Sequence, residues 1–228
     1  MLMKRWIWLL LATGLMNAAF AQTRIAGKAV RLGFKIDPVL TNVLHPNETG
    51  LEKDGSKMGF SYGLMADFLF RDGRGAFASG IEITHAGAKM KYTDANKGLL
   101  QPASNQEYDL NLQYLQIPLS IKLKTERKDK IAWWGQFGSY LGFLMKARGD
   151  YGVPGVSTYE KSNFSSKVNP INAGLLLGAG GEYRLDNRTD LFFGVGFENG
   201  FVDVTKNSDW NDGKVNLNRW ALRLGVFF

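Results

Sequence analysis

Eight stretches of this chain alternate apolar and polar residues with a period of two, and almost nothing alternates with the period of a helix. A period of two sends successive side chains to opposite faces of a strand, so the pattern reads as β-structure throughout. The stretches are 30–36, 60–70, 77–83, 115–123, 131–143, 173–185, 191–197 and 220–228. On one face stand Leu, Ile, Val, Phe and Trp; on the other stand Gly, Lys, Arg, Asp and Glu. Each is near the roughly 9–11 residues that a tilted transmembrane strand needs, and some run beyond it.

The connections also alternate. Residues 71–75, 125–130 and 186–189 are tight polar turns, whereas 37–57, 93–109, 148–169 and 203–214 are long and rich in Asn, Asp, Ser, Gly and Lys. Short turns at one end and long loops at the other fit an up-and-down barrel with both termini on the short-turn side. The expected fold class is therefore all-β: an eight-stranded antiparallel up-and-down transmembrane β-barrel, monomeric, occupying residues 22–228. Residues 1–21 are expected to be a cleaved secretory signal peptide. Lys4 and Arg5 precede an apolar run from Trp6 to Met16, and Ala19, Phe20 and Ala21 form an A-x-A cleavage site.

Alternation alone does not say which face meets lipid, because a soluble eight-stranded barrel shows the same period with its faces reversed. Three features favour lipid outside. The polar face carries Gly33, Gly63, Gly80, Gly174, Gly178, Gly180, Gly194, Gly196 and Gly225 among charges of both signs. Glycine weakens a strand, so its density suits a narrow interior where bulky and ionic groups interlock. Aromatic residues gather toward both strand ends, as lipid–water interfaces favour: Phe68, Phe70, Phe77, Trp133, Tyr183, Phe193 and Phe228 at one, Phe60, Tyr62, Phe201 and Trp220 at the other. The last strand also runs to a terminal aromatic, the kind of signal read by outer-membrane insertion machinery. Mean hydropathy of −0.18 excludes only helical spans, and the absence of cysteine excludes disulfides and thiolate sites. A net charge of +7 raises nucleic acid as a partner, but an exported chain without a basic block argues against it.

Residues 114–124, YLQIPLSIKLK, resemble the fourth strand of PorT-like outer-membrane β-barrel proteins. The order of signal peptide, Gly-centred first strand, this strand and a closing aromatic strand matches as well. That resemblance implies a small barrel in the outer membrane of a Gram-negative-type cell, with one branch of the family serving type IX secretion. Pro118 inside this strand cannot donate to a ladder and so requires a bulge or an unpaired position. The change of apolar parity between Tyr114 and Leu115 predicts a one-residue bulge there.

With apolar side chains outside, Arg31, Lys35, Asp67, Glu82, Lys122, Glu182, Arg184, Glu198, Arg219 and Arg223 fall inside. Unpaired charges in a dry interior are prohibitive, so these residues are expected to form a paired network. An eight-stranded barrel is barely wide enough for its own side chains, which favours a structural plug over an ion path. Enzymatic signals are weak. His85 lies at the right depth for a lipid A-modifying enzyme, but Ser79 is far down the same face and no carboxylate is near in sequence; His45 reads as a solvated loop residue. The glycine runs 178–181 and 194–196 lack the following helix of a phosphate loop. Carboxylates in the last loop lack EF-hand spacing. No catalytic residue, cofactor or metal is expected. The long loops, with Asn47, Glu48, Glu52, Lys53, Asp54, Tyr151, Tyr159, Lys161, Asn163, Asp209, Trp210 and Asp212, suit protein or glycan contact and read equally as plain solvated loops. The leading expectation is a non-enzymatic structural or complex-binding role in the envelope. A passive path for small or hydrophobic solutes is the alternative, and a lipid A enzyme the third reading. Expected partners are outer-membrane lipid, the insertion machinery during biogenesis, and a surface or secretion complex.

Overall fold

The computed structural model describes residues 30–44, 50–71, 73–100, 103–206, 208–210 and 214–228. The segment 1–21, and with it the expected cleavage site, lies outside the described residues, as do His45, Asn47, Glu48 and Asp212. Ten strands follow in chain order: β1 (Val30–Leu44), β2 (Leu51–Lys53), β3 (Lys57–Leu69), β4 (Gly75–Tyr92), β5 (Gln106–Lys124), β6 (Ile131–Val153), β7 (Ser157–Asn163), β8 (Ile171–Arg184), β9 (Asp190–Gly200) and β10 (Asn216–Phe227). No helix occurs among the described residues. Eight of these strands close on themselves as an antiparallel up-and-down barrel, with β1 sealed between β10 and β3. The two short strands, β2 and β7, add to β4 and β6 at the long-loop end.

The expected faces are the observed ones. Ile81, Leu123 and Phe137 stand 57%, 62% and 61% exposed on the outer wall, while Lys122 and Glu182 inside are 2% and 0% exposed. Aromatic side chains ring the outer wall at both edges, Phe68, Phe70, Trp133 and Phe228 at the short-turn edge and Phe60, Phe143, Phe201 and Trp220 at the other. Short turns are held locally. At 186–189 the Asp186 carboxylate accepts the N–H of Arg188 at 2.7 Å and of Thr189 at 2.9 Å, which holds it below its ordinary range.

The strands are much longer than the sequence pattern suggests, and the reason is a reversal of polarity along them. β1 continues through 37–44, β4 to Tyr92, β5 begins at Gln106 and β6 runs on to Val153, taking much of the stretches expected as loops. Beyond the apolar belt the alternation persists with the faces exchanged. Tyr108, Leu110, Leu112 and Tyr114 of β5 point inward and are buried, while Glu107, Asp109, Asn111 and Gln113 point outward. The apparent slip at Tyr114–Leu115 is therefore a correction: β5 keeps its phase, and the interior changes from polar to apolar. A bulge does occur at that level, on the facing strand. Gln113 opposes Lys146 and Tyr114 opposes Leu144, leaving Met145 of β6 as the extra residue.

Pro118 occupies an interruption instead of a bulge. The β4–β5 ladder runs from Gly75↔Leu123 to Ser79↔Leu119 and resumes at Glu82↔Gln116. Pro38 sits opposite a matching gap in the β1–β10 ladder, between Lys35↔Gly225 and Val39↔Ala221. A ring nitrogen has no proton to give, so both prolines fall where the ladder is open. In the second gap the Leu224 N–H donates to Asp37 Oδ1 at 3.2 Å, which anchors that carboxylate inside the barrel.

Candidate functional site: a filled lumen under an apolar cap

The lumen is built in tiers from the short-turn end upward. At the mouth, the buried Asp190 carboxylate accepts Arg31 Nη2 at 2.9 Å, Arg127 Nη2 at 3.0 Å and Arg184 Nε at 3.3 Å. One tier up, Lys122 Nζ reaches Asp67 at 2.8 Å and Glu182 at 2.9 Å. Arg31 Nη1 joins them at 3.0 Å from Glu182, and Lys124 Nζ lies 3.5 Å from the same carboxylate. Above these, Lys35 Nζ bonds Asp37 at 2.8 Å and pairs with Glu82. In the top tier Glu198 is shared between Arg219 and Arg223, while Gln116 bridges Arg219 at 2.6 Å and Glu198 at 3.1 Å.

Asp37, Asp67, Glu82, Glu182, Glu198 and Asp190 thus meet Arg31, Lys35, Lys122, Lys124, Arg219 and Arg223, with Arg127 and Arg184 added at the mouth, six carboxylates against eight cations. Each of these carboxylates lies within salt-bridge distance of at least one cation, which is what a low-dielectric interior requires.

Aromatic side chains fill the space between the ions. Trp134 is buried and stacks on Phe192 with centroids 4.6 Å apart, and Phe227 meets Phe192 edge-on at 5.7 Å. The Lys122 ammonium sits 4.7 Å from the Phe192 centroid and 4.4 Å from that of Phe227. The indole lies against Gly178, Gly180 and Gly194, where an added Cβ would meet its ring carbons at 3.1, 2.8 and 2.6 Å. This close approach accounts for these three glycines of the polar face. Beside Lys122 the lumen keeps a cavity of about 30 Å³, room for a single water.

Above Arg219 the interior becomes a small apolar core. Trp210 is fully buried, stacked on Tyr92 with centroids 6.5 Å apart and edge-on to Tyr108 at 5.0 Å. Its Nε1 donates to the Lys167 carbonyl at 3.0 Å, and Tyr92 donates its hydroxyl to the Trp210 carbonyl at 2.6 Å. Phe164, Val168, Val204, Val215, Leu51 and Met90 complete the cluster. Burial pushes the Tyr108 phenol above its ordinary range. Trp210 is thus a keystone of the cap, which corrects both expectations for it, a contact residue and a solvated loop residue.

Of the ten residues placed inside by parity, nine stand in the lumen. Arg184 does not: as the last residue of β8 it lies exposed at the rim, tied only to Asp190. Sequence reasoning missed Asp37, Asp190, Lys124 and the inward aromatics. Adjacent tryptophans at 133 and 134 carried a usable signal, since one of two neighbours in a strand must face inward. His85 faces outward and stacks on Phe60 at 4.4 Å, with Tyr62 at 6.2 Å. Among the described residues no serine or carboxylate is hydrogen-bonded to it.

The family model for the outer membrane protein beta-barrel domain matches residues 20–206. The chain belongs to that family. Its members span the outer membrane with strands, which accords with the apolar wall and the ionic interior. Among solved structures, the chain is similar to Neisserial surface protein A at 16% identity, over 86% of this chain and 95% of that one, with a TM-score of 0.43. It is similar to Ail of Yersinia pestis at 12% identity, over 87% and 99%, with a TM-score of 0.37. It is similar to OprG of Pseudomonas aeruginosa at 14% identity, over 86% and 94%, with a TM-score of 0.36. No curated protein matches the chain. The wall of the barrel places it in the lipid of the outer membrane.

Proposed function

We propose that this protein is a closed, non-conducting and non-enzymatic outer-membrane barrel that engages a protein complex through its long-loop end. The observation that carries this reading is the double seal: paired charges and stacked aromatics fill the lumen, and the Trp210 core fills the end above it. Opening a path would separate buried ion pairs, each separation costing about 3–5 kcal/mol. The partner surface is the β6–β7 hairpin, which rises past the cap and exposes Val156 at 81% and Tyr159 at 48%. Exposed apolar and aromatic groups at a loop tip suit a protein contact. In this reading residues 1–21 are removed on export, both termini face the periplasm, the closing strand is read by the insertion machinery, and the segment 114–124 marks a PorT-like relative acting beside a secretion complex.

Planar-bilayer recordings test the seal. The expected result is an absence of reproducible single-channel steps at either polarity, and regular steps would favour the solute path instead. Crosslinking in intact cells followed by pull-down tests the partner: capture should be lost when the hairpin tip, residues 154–158, is replaced by a Gly-Ser turn. Lipid A mass spectra from cells with and without the protein should be identical; a gained or lost acyl chain would contradict the non-enzymatic assignment.

A further inference from the structure

On the outer wall of β3 to β6, at the long-loop edge of the apolar belt, lies an open recess of about 600 Å³. Its belt side is Phe60 and His85; Met58, two residues loopward of Phe60 on β3, lines the rest with Lys146, Arg148, Lys161 and the carboxylate of Asp150. The pairing register explains the gradient. Phe60, His85, Gln113 and Lys146 form one cross-strand row, and Asn111 and Arg148 lie in the next row toward the loops, ~6.6 Å further along the strands. The bulge at Met145 turns Lys146 and Arg148 outward together. Lys161 is held beside them by its own backbone, whose N–H donates to Asp150 Oδ1 at 2.7 Å. Among the described residues no carboxylate lies within salt-bridge distance of Lys146, Arg148 or Lys161, although such pairs abound elsewhere in the barrel.

We infer that this recess binds the phosphorylated headgroup of an anionic membrane lipid, with an acyl chain laid along Phe60 toward the belt. The position fits no soluble ligand as well. The apolar side of the recess continues the lipid-facing belt, and the cations stand where a headgroup phosphate sits. Arg148 offers the planar fork that phosphate oxygens accept in pairs, and the two lysines add compact charge. Asn111 and Gln113 supply neutral donors on the same wall. The inference stands whether or not the lumen conducts.

Native mass spectrometry of the folded full-length protein, released from detergent micelles, tests it. The probes are bisphosphorylated lipid A, the same lipid without phosphates, and inorganic phosphate. Bisphosphorylated lipid A should stay bound, and the other two should not. The combined variant K146Q/R148Q/K161Q should weaken that binding roughly a hundredfold, and each single substitution about fivefold. A charge-matched control at the short-turn end, R71Q/K128Q/R188Q, should bind as the parent does. Heat-modifiable gel migration checks that each variant is folded; should the combined variant fail it, the single substitutions carry the test. Equal binding by parent and recess variants, equal loss in the control, or equal retention of the dephosphorylated lipid would overturn the proposal. Retention of inorganic phosphate as strong as that of the lipid would replace it with a soluble-anion site.

Discussion

A lysine between two carboxylates costs little in water, but inside a barrel the loss of one member strands the others. Lys122 is such a residue, within 3 Å of both Asp67 and Glu182. Lys122→Ala should lower the unfolding free energy in lipid vesicles by about 3–5 kcal/mol, read as a shifted urea midpoint. Arg184→Ala removes an exposed rim pair and should cost under ~1 kcal/mol. Equal effects would mean that the lumen is wetter than its packing implies. At Gly180 an added Cβ meets the backbone of Phe193 and Gly194 as well as the Trp134 ring. Gly180→Val should therefore abolish the heat-modifiable form, whereas Gly73→Ala, in an open turn, should retain it. Strand parity made nine of the lumen charges legible. Asp37 and Asp190 escaped because each looks like a turn residue, one preceding a proline and the other closing a polar hairpin.

At the scale of the strand, the pattern was read correctly where lipid enforces it and misread where lipid ends. Alternation across the belt puts apolar groups out; alternation above it puts them in, and the join resembles a change of phase. Val39, Val43, Met90, Tyr92, Leu110 and Leu112 are core residues of a small water-facing domain built on membrane strands. Trp210→Ala should remove about 3–5 kcal/mol from that cap while the belt stays folded. The result would appear as rapid tryptic nicking in 93–105 and 201–215 with unchanged gel mobility of the unheated core. The cap should also loosen at high pH. Burial raises the folded-state pKa of Tyr108 above its unfolded value, so its contribution is complete below pH ~10 and falls as pH rises beyond it. Near-ultraviolet dichroism of the stacked rings should fade in that window, and in Tyr108→Phe it should fade less.

Across the whole molecule, two solvents divide one set of strands. The outward apolar run of β5, from Leu115 to Leu123, spans roughly 20–25 Å at ordinary strand rise and barrel tilt, the height of an outer-membrane belt. β6, at 23 residues, is about twice as long as the crossing needs, and its surplus is what carries the cap, the hairpin and the basic recess. The closed barrel and its polar interior were therefore legible in the sequence, whereas the elevated cap was not, since much of its apolar face is supplied from stretches that look polar and loop-like, by residues such as Val43, Leu51, Tyr108, Phe164, Val168, Val204 and Trp210. The chain contains no cysteine, so single cysteines placed along β5 can carry a spin label without background. In lipid nanodiscs, labels at Leu123, Leu119 and Ile117 should be reached by oxygen dissolved in the bilayer, and labels at Gln113, Asn111 and Asp109 by a water-soluble nickel chelate. Labels at Leu110 and Leu112 should be shielded from both. Oxygen access continuing past Gln113, or chelate access to Leu110 and Leu112, would contradict the exchange of faces on which this account of the barrel rests.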